Sequence, residues 1–136
     1  MNQPKRIKQA LTDFLDRIVV AMSLDVTANL KQAPSEGGTP VDTGWARANW
    51  VPHIGQPFRG TAGSPDSVNT ARSEEGVAEV AAGYSVAKGQ VHITNNVPYI
   101  TRLNDGHSQQ APAGFVQRAI DKAVRVDLPA KLVRRS

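Results

Sequence analysis

Apolar residues recur at spacings of three and four through the first thirty positions. Ile7, Leu11, Phe14, Ile18, Met22, Val26 and Leu30 fall on one stripe, which predicts a long amphipathic helix. Pro4 suits its first turn, and Pro34 with Gly37-Gly38 ends it. Residues 34–44 read as loop. Trp45 to Trp50 reads as a short helical turn with Asp42 or Thr43 as N-cap, and Trp50 to Ile54 as a short strand that Pro52 confines to an edge. Residues 55–73 hold Gly, Pro and small polar residues with little to bury beyond Phe58 and Val68, which predicts a mobile loop or arm.

Ser73 followed by two glutamates reads as the cap of a helix of about three turns, weakened by Gly76 and Gly83. Gln90 to Thr94 alternates as a strand does. Asn95-Asn96 marks a turn, Pro98-Tyr99-Ile100 begins a helical turn running to Leu103, and Asn104-Asp105-Gly106 breaks it. Pro112 opens a last helix whose stripe is Phe115, Val116, Ala119, Ile120, Ala123 and Val124, and Pro129 closes it. The result is one α+β domain over 1–136, a small sheet packed against a long N-terminal and a C-terminal helix, with a loop at 55–73 and a basic tail at 130–136.

Composition narrows the function classes. Seven aromatics in 136 residues leave the core to Ala, Val, Ile and Leu. The absence of cysteine removes disulfides, thiolate metal sites and cysteine nucleophiles. No apolar run approaches the roughly 20 residues of a membrane span, so no membrane contact is expected. The first residues lack the apolar region of a secretory signal. The net charge of +4 sits at the ends, in Lys5, Arg6 and Lys8 and in six cations from Arg118 onward against Asp121 and Asp127. Basic ends on a mildly acidic body suit an acidic partner or nucleic acid, and equally suit solvated helix faces.

Catalytic chemistry finds little support. His53, His92 and His107 show no nucleophile-elbow, phosphate-loop or zinc-helix spacing. Asp42-Thr43-Gly44 is the triplet aspartic proteases carry, but here it precedes a helix-like Trp45-Ala46-Arg47-Ala48-Asn49-Trp50 instead of sitting between apolar strands. A cap at Asp42 or Thr43, with Gly44 in a conformation a Cβ would obstruct, explains it better.

Three segments carry a resemblance. Thr39-Pro40-Val41-Asp42-Thr43-Gly44-Trp45-Ala46-Arg47-Ala48-Asn49-Trp50 resembles the "VDTG" segment of tailed-bacteriophage minor tail, tail-completion or head–tail joining proteins. Val91 to Leu103, with Asn95, Asn96, Pro98 and Tyr99, is similar to that family's strand followed by "NN-x-PY". Gly106 to Val116, with Gln110-Ala111-Pro112-Ala113-Gly114, is similar to its lead into the C-terminal helix. Asn104 stands where the family usually has a glutamate, with Asp105 beside it; if that glutamate makes an ion pair in relatives, either Asp105 substitutes imperfectly or the pair is absent here.

The resemblance implies a non-enzymatic structural virion protein without a cofactor. It implies a homo-oligomeric ring, most simply a hexamer, in the neck of a particle assembled in the host cytoplasm. A tail terminator, a head connector or other neck and tail proteins would be its partners, with DNA in the conduit as a further contact. Val41 to Gly44 and Asn95 to Tyr99 should hold the chain at the sheet edges, with Trp45, Trp50 and Tyr99 burying most of their rings nearby. Lys131, Leu132, Val133, Arg134 and Arg135 form a short basic end suited to an acidic neighbour. The rival reading is a nucleic-acid-binding accessory protein that uses its basic termini. It lacks a helix-turn-helix and a run of surface aromatics.

Overall fold

The computed structural model describes residues 3–41, 43–106 and 113–133, with side chains as far as Asp127. In chain order the elements are α1 (Gln3–Leu30), α2 (Trp45–Ala48), β1 (Val51–Ile54), α3 (Ala71–Gly83), β2 (Val91–Thr94), α4 (Ile100–Asn104) and α5 (Phe115–Val133), with single 3-10 turns at Pro34–Glu36 and Val86–Lys88. This is the α+β arrangement the periodicity predicts. No helix among the described residues is long and apolar enough to cross a membrane.

β1 and β2 pair antiparallel, with Val51 opposite Thr94, Pro52 opposite Ile93, His53 opposite His92 and Ile54 opposite Val91. Gly55 N–H donates to Gln90 C=O at 2.8 Å, just beyond the strands. Counting back from that bond makes Pro52 a member of a non-hydrogen-bonded pair, so the N–H it lacks would have pointed away from β2. A proline in a two-stranded sheet is thereby accommodated.

α3 closes the outer edge of β1. Ser73, expected as a helix cap, lies two residues inside α3 and is fully buried; Thr70 stands at the N-cap position. The Ser73 hydroxyl donates to Trp50 C=O at 2.6 Å and accepts from Lys31 Nζ at 2.9 Å, tying α1, α3 and the start of β1 together. A Cβ on Gly76 would lie 2.4 Å from Pro52 C=O, so only glycine lets the helix approach this closely. The stretch from 55 to 73 therefore divides: 55–70 is loop, and the rest is the first turn of α3.

The core forms where the C-terminal half of α1, α5 and the sheet meet. Val26, Leu30, Trp50, Phe115, Ala119 and Ala123 make one cluster, against which Ile93, Ile100, Leu103 and Val116 pack. α5 lies along α1 in the broadest contact between two elements, with Asn29 Nδ2 donating to Ala119 C=O at 3.1 Å. The α1 stripe enters this core only from Ile18 onward; Ile7 and Leu11 stay in solvent. α5 starts at Phe115, after a Gly114 whose φ of 86° breaks the approach of the chain. Pro129 does not close it. The helix runs four residues further, giving up the one N–H bond that proline cannot make.

Candidate functional site

The three segments that stand out in the sequence come together in space. The first begins at Thr39, which is fully buried. Its hydroxyl donates to Leu30 C=O at 2.7 Å and accepts from the Trp50 indole N–H at 2.7 Å, so one side chain satisfies the end of α1 and the core tryptophan. Val41 is half-buried, and Asp42 lies outside the described residues. Thr43 Oγ1 accepts from Trp45 N–H at 3.3 Å, but Thr43 is not the N-cap that the sequence predicts at it or at Asp42. Gly44 itself occupies the N-cap position of α2, with φ of 89°. The backbone requirement read from the sequence at this glycine is therefore real.

Asn49, which the sequence reading passed over, is the central clamp. It is 2% exposed. Its Nδ2 donates to Trp45 C=O at 2.8 Å and to Ala62 C=O at 3.1 Å, and its Oδ1 accepts from Ala62 N–H at 2.7 Å. The Trp45 indole N–H also donates to Ala62 C=O, at 3.0 Å. The loop is thus stapled to α2 through one alanine backbone. Phe58 C=O accepts from Thr94 Oγ1 at 3.3 Å and from Asn96 Nδ2 at 2.8 Å, and the Arg72 guanidinium lies 5.0 Å from the Phe58 ring centroid. Hydrogen bonds that the guanidinium donates to Glu79 and Glu75 raise its pKa above the ordinary value against the opposing effect of burial.

The second segment pins the first. Asn95 Nδ2 donates to Ala46 C=O at 2.7 Å, while its Oδ1 accepts from Val97 N–H at 3.1 Å. Asn96 Nδ2 also reaches Gly60 C=O at 3.1 Å. Trp45 and Tyr99 meet with ring centroids 6.1 Å apart and planes tilted by 56°. The expectation that all three aromatics bury most of their surface holds: Trp50 is fully buried, Trp45 and Tyr99 keep only a minor part exposed, and Val97 also enters the interior at this turn. Pro98 is exposed, and Arg47 is half-buried.

The third segment supplies the lead into α5. Asn104 C=O accepts from Gly114 N–H at 2.7 Å, its Oδ1 accepts from Val116 N–H at 3.0 Å, and its Nδ2 donates to Gln117 Oε1 at 3.2 Å. Asn104 is therefore a neutral cap on the start of α5. Gly106 has φ of 92°. His107 and Pro112 lie outside the described residues. So do Arg134 and Arg135, along with the side chains of Lys131, Leu132 and Val133, whose backbone continues α5.

His53 and His92 face each other across the sheet, and His53 Nδ1 lies 2.6 Å from Gln56 C=O. Among the described residues no three His, Asp or Glu side chains converge as metal ligands would. What the geometry provides is a set of asparagine, threonine and indole groups bonded to backbone atoms of distant segments, around a partly exposed aromatic pair. Comparison with protein-family models, curated proteins and solved structures returned no match.

Proposed function

We propose that this chain is a non-enzymatic structural subunit of a tailed-phage virion, a tail-completion or head–tail joining protein that forms a ring in the neck, with six copies as the simplest closure. The resemblance of three separated segments carries the reading. Its structural support is that these segments interlock: Asn95 bonds to Ala46, Tyr99 packs on Trp45, and Asn104 holds the start of α5. Residues spent on backbone atoms make a rigid body, which a ring subunit needs in order to keep one angle between neighbours. The exposed part of the Trp45–Tyr99 pair and the basic sequence from Lys131 to Arg135 are the surfaces this reading assigns to an adjacent tail terminator or head connector. Exposed ion pairs contribute only about 0–1 kcal/mol each, so such an end tunes assembly and leaves folding alone.

The nucleic-acid reading is the weaker one. It rests on the charged ends, yet among the described side chains of α5 the three cations Arg118, Lys122 and Arg125 bond within the chain. Arg118 Nη1 donates to Ala113 C=O at 2.6 Å, Lys122 reaches Gln32 at 3.4 Å, and Arg125 pairs with Asp121 at 2.7 Å. Electron microscopy of particles or isolated tails with this subunit located decides the main proposal. A ring at the head–tail junction is expected, with residues 130–136 against a neighbouring layer, and a single isolated copy per tail would overturn it. Steeply salt-dependent binding of the isolated protein to duplex DNA would favour the alternative.

A further inference from the structure

The stripe of α1 outruns the body that covers it. Ile7 is 59%, Leu11 58% and Leu15 45% exposed, at spacings of four along successive turns. A lone exposed aliphatic needs no account, but a periodic row that continues a buried one marks an interaction surface. Lys5, Arg6 and Lys8 flank it, and the first twelve residues contain no acid.

The same chain carries a matching recess. Between the C-terminal half of α1 and the start of α3 runs an open groove of about 440 Å³, lined by Leu24, Thr27, Ala28, Lys31, Glu74 and Val77. The Thr27 hydroxyl is turned back to Ser23 C=O at 2.8 Å, and the Lys31 ammonium is held by Ser73 Oγ, so the groove offers mainly carbon. One acid, Glu74, lines it on the α3 side, while Glu75 and Glu79 lie on another face of that helix and pair with Arg72. Glu74 accepts from the Thr70 hydroxyl at 3.0 Å and has no cationic partner among the described residues.

We propose that the α1 stripe of one copy docks in the α1–α3 groove of the next, apolar row into apolar recess and a flanking cation against Glu74. A subunit cannot fill its own groove. Leu11 and Ala28 belong to one continuous helix and stand about 25 Å apart along its axis at ~1.5 Å per residue. Patch and recess at different places on one surface make a head-to-tail contact, which repeats from copy to copy and closes into a ring when the rotation permits. The inference rests on the ring reading above and names the surfaces through which neighbours would join.

The chain has no cysteine, so introduced thiols report contacts without background. Leu11→Cys and Ala28→Cys both replace exposed residues, and unchanged melting would verify that each variant folds. Under mild oxidation, of the purified protein and of assembled tails, the doubly substituted chain should give a ladder of covalent dimers, trimers and larger species on a non-reducing denaturing gel. Each single variant should stay monomeric, and a mixture of the two should stop at dimers. Covalent dimers from Leu11→Cys alone would show stripe-to-stripe pairing and overturn the proposal. So would a doubly substituted chain that stays monomeric in both preparations. A ring seen in particles whose subunits give no ladder would sink this contact and leave the neck reading standing.

Discussion

Thr39 is the point at which the end of α1, the first motif and the core tryptophan depend on one hydroxyl. Replacing it with valine keeps the volume but leaves the Trp50 N–H and the Leu30 C=O without this buried partner. A loss of about 1–3 kcal/mol is expected, read as a lower urea midpoint with an unchanged slope. An unaltered midpoint would mean that water reaches these groups. Tyr84 gives a second test at this scale. Its hydroxyl donates to Gly89 C=O at 2.9 Å, and burial, helped by the charge of Asp16, raises its pKa. The neutral phenol is the form the fold prefers. Its contribution to stability is therefore full below the unfolded value near 10 and lost as pH climbs through the higher folded value. The tyrosinate absorbance that disappears in Tyr84→Phe should titrate above the ordinary phenol range; titration at or below that range contradicts it. Single residues were also where the sequence was least legible. Asn49 looks like any polar residue of a helical turn, because what makes it a clamp is the backbone of Ala62, thirteen positions away. Ser73 before two glutamates has every local feature of a cap, and only its burial under β1 gives it another task.

Elements were easier to read, because periodicity reports on the face an element buries. α1, both strands and α5 follow from spacing alone. The spacing could not say how much of α1 the body would cover, since Ile7 and Leu11 obey the same period as Val26 and Leu30. Nor could it place the end of α5, where a helix already held by packing tolerates the bond missing at Pro129. Gly76 is the instructive case. Helix propensity makes it a flaw worth about 1 kcal/mol, and Gly76→Ala should then stabilise α3. The 2.4 Å approach to Pro52 C=O predicts the reverse, a destabilisation of about 1–3 kcal/mol by overpacking. Gly83→Ala serves as the control, because its Cβ would meet only the Lys88 ammonium at 3.6 Å. Equal effects of the two substitutions in denaturant melts would show that α3 does not press on β1 as described.

For the whole molecule, the division between core and loop governs what proteases and assembly partners meet first. Arg59 lies on exposed loop, whereas Arg72 belongs to α3 and is engaged by two glutamates and the Phe58 ring. Brief trypsin treatment should therefore cut the body after Arg59 well before Arg72, as mass spectrometry of the fragments would reveal. Cleavage at Arg72 first would mean that the N-terminal turn of α3 opens more readily than the loop preceding it.

At the far end of that loop, Ser64 and Ser67 exchange two backbone hydrogen bonds of 3.1 Å around Pro65-Asp66. A chain pinned in this way behaves as a handle with both roots fixed. Because loop-closure entropy grows only slowly with length, a short peptide spliced between Pro65 and Asp66 should cost on the order of 1 kcal/mol, since each doubling of the loop adds about 0.6 kcal/mol. Such a graft could carry an epitope or a fluorophore site to the surface while the roots at Phe58, Gly60 and Ala62 hold the body in register. Unchanged near-ultraviolet circular dichroism of the grafted protein, together with antibody access to the tag, would establish it as a label. Loss of the tryptophan signal would mean that the tip helps to seat Trp45. With the label in place, the orientation of each subunit could be read directly from decorated particles.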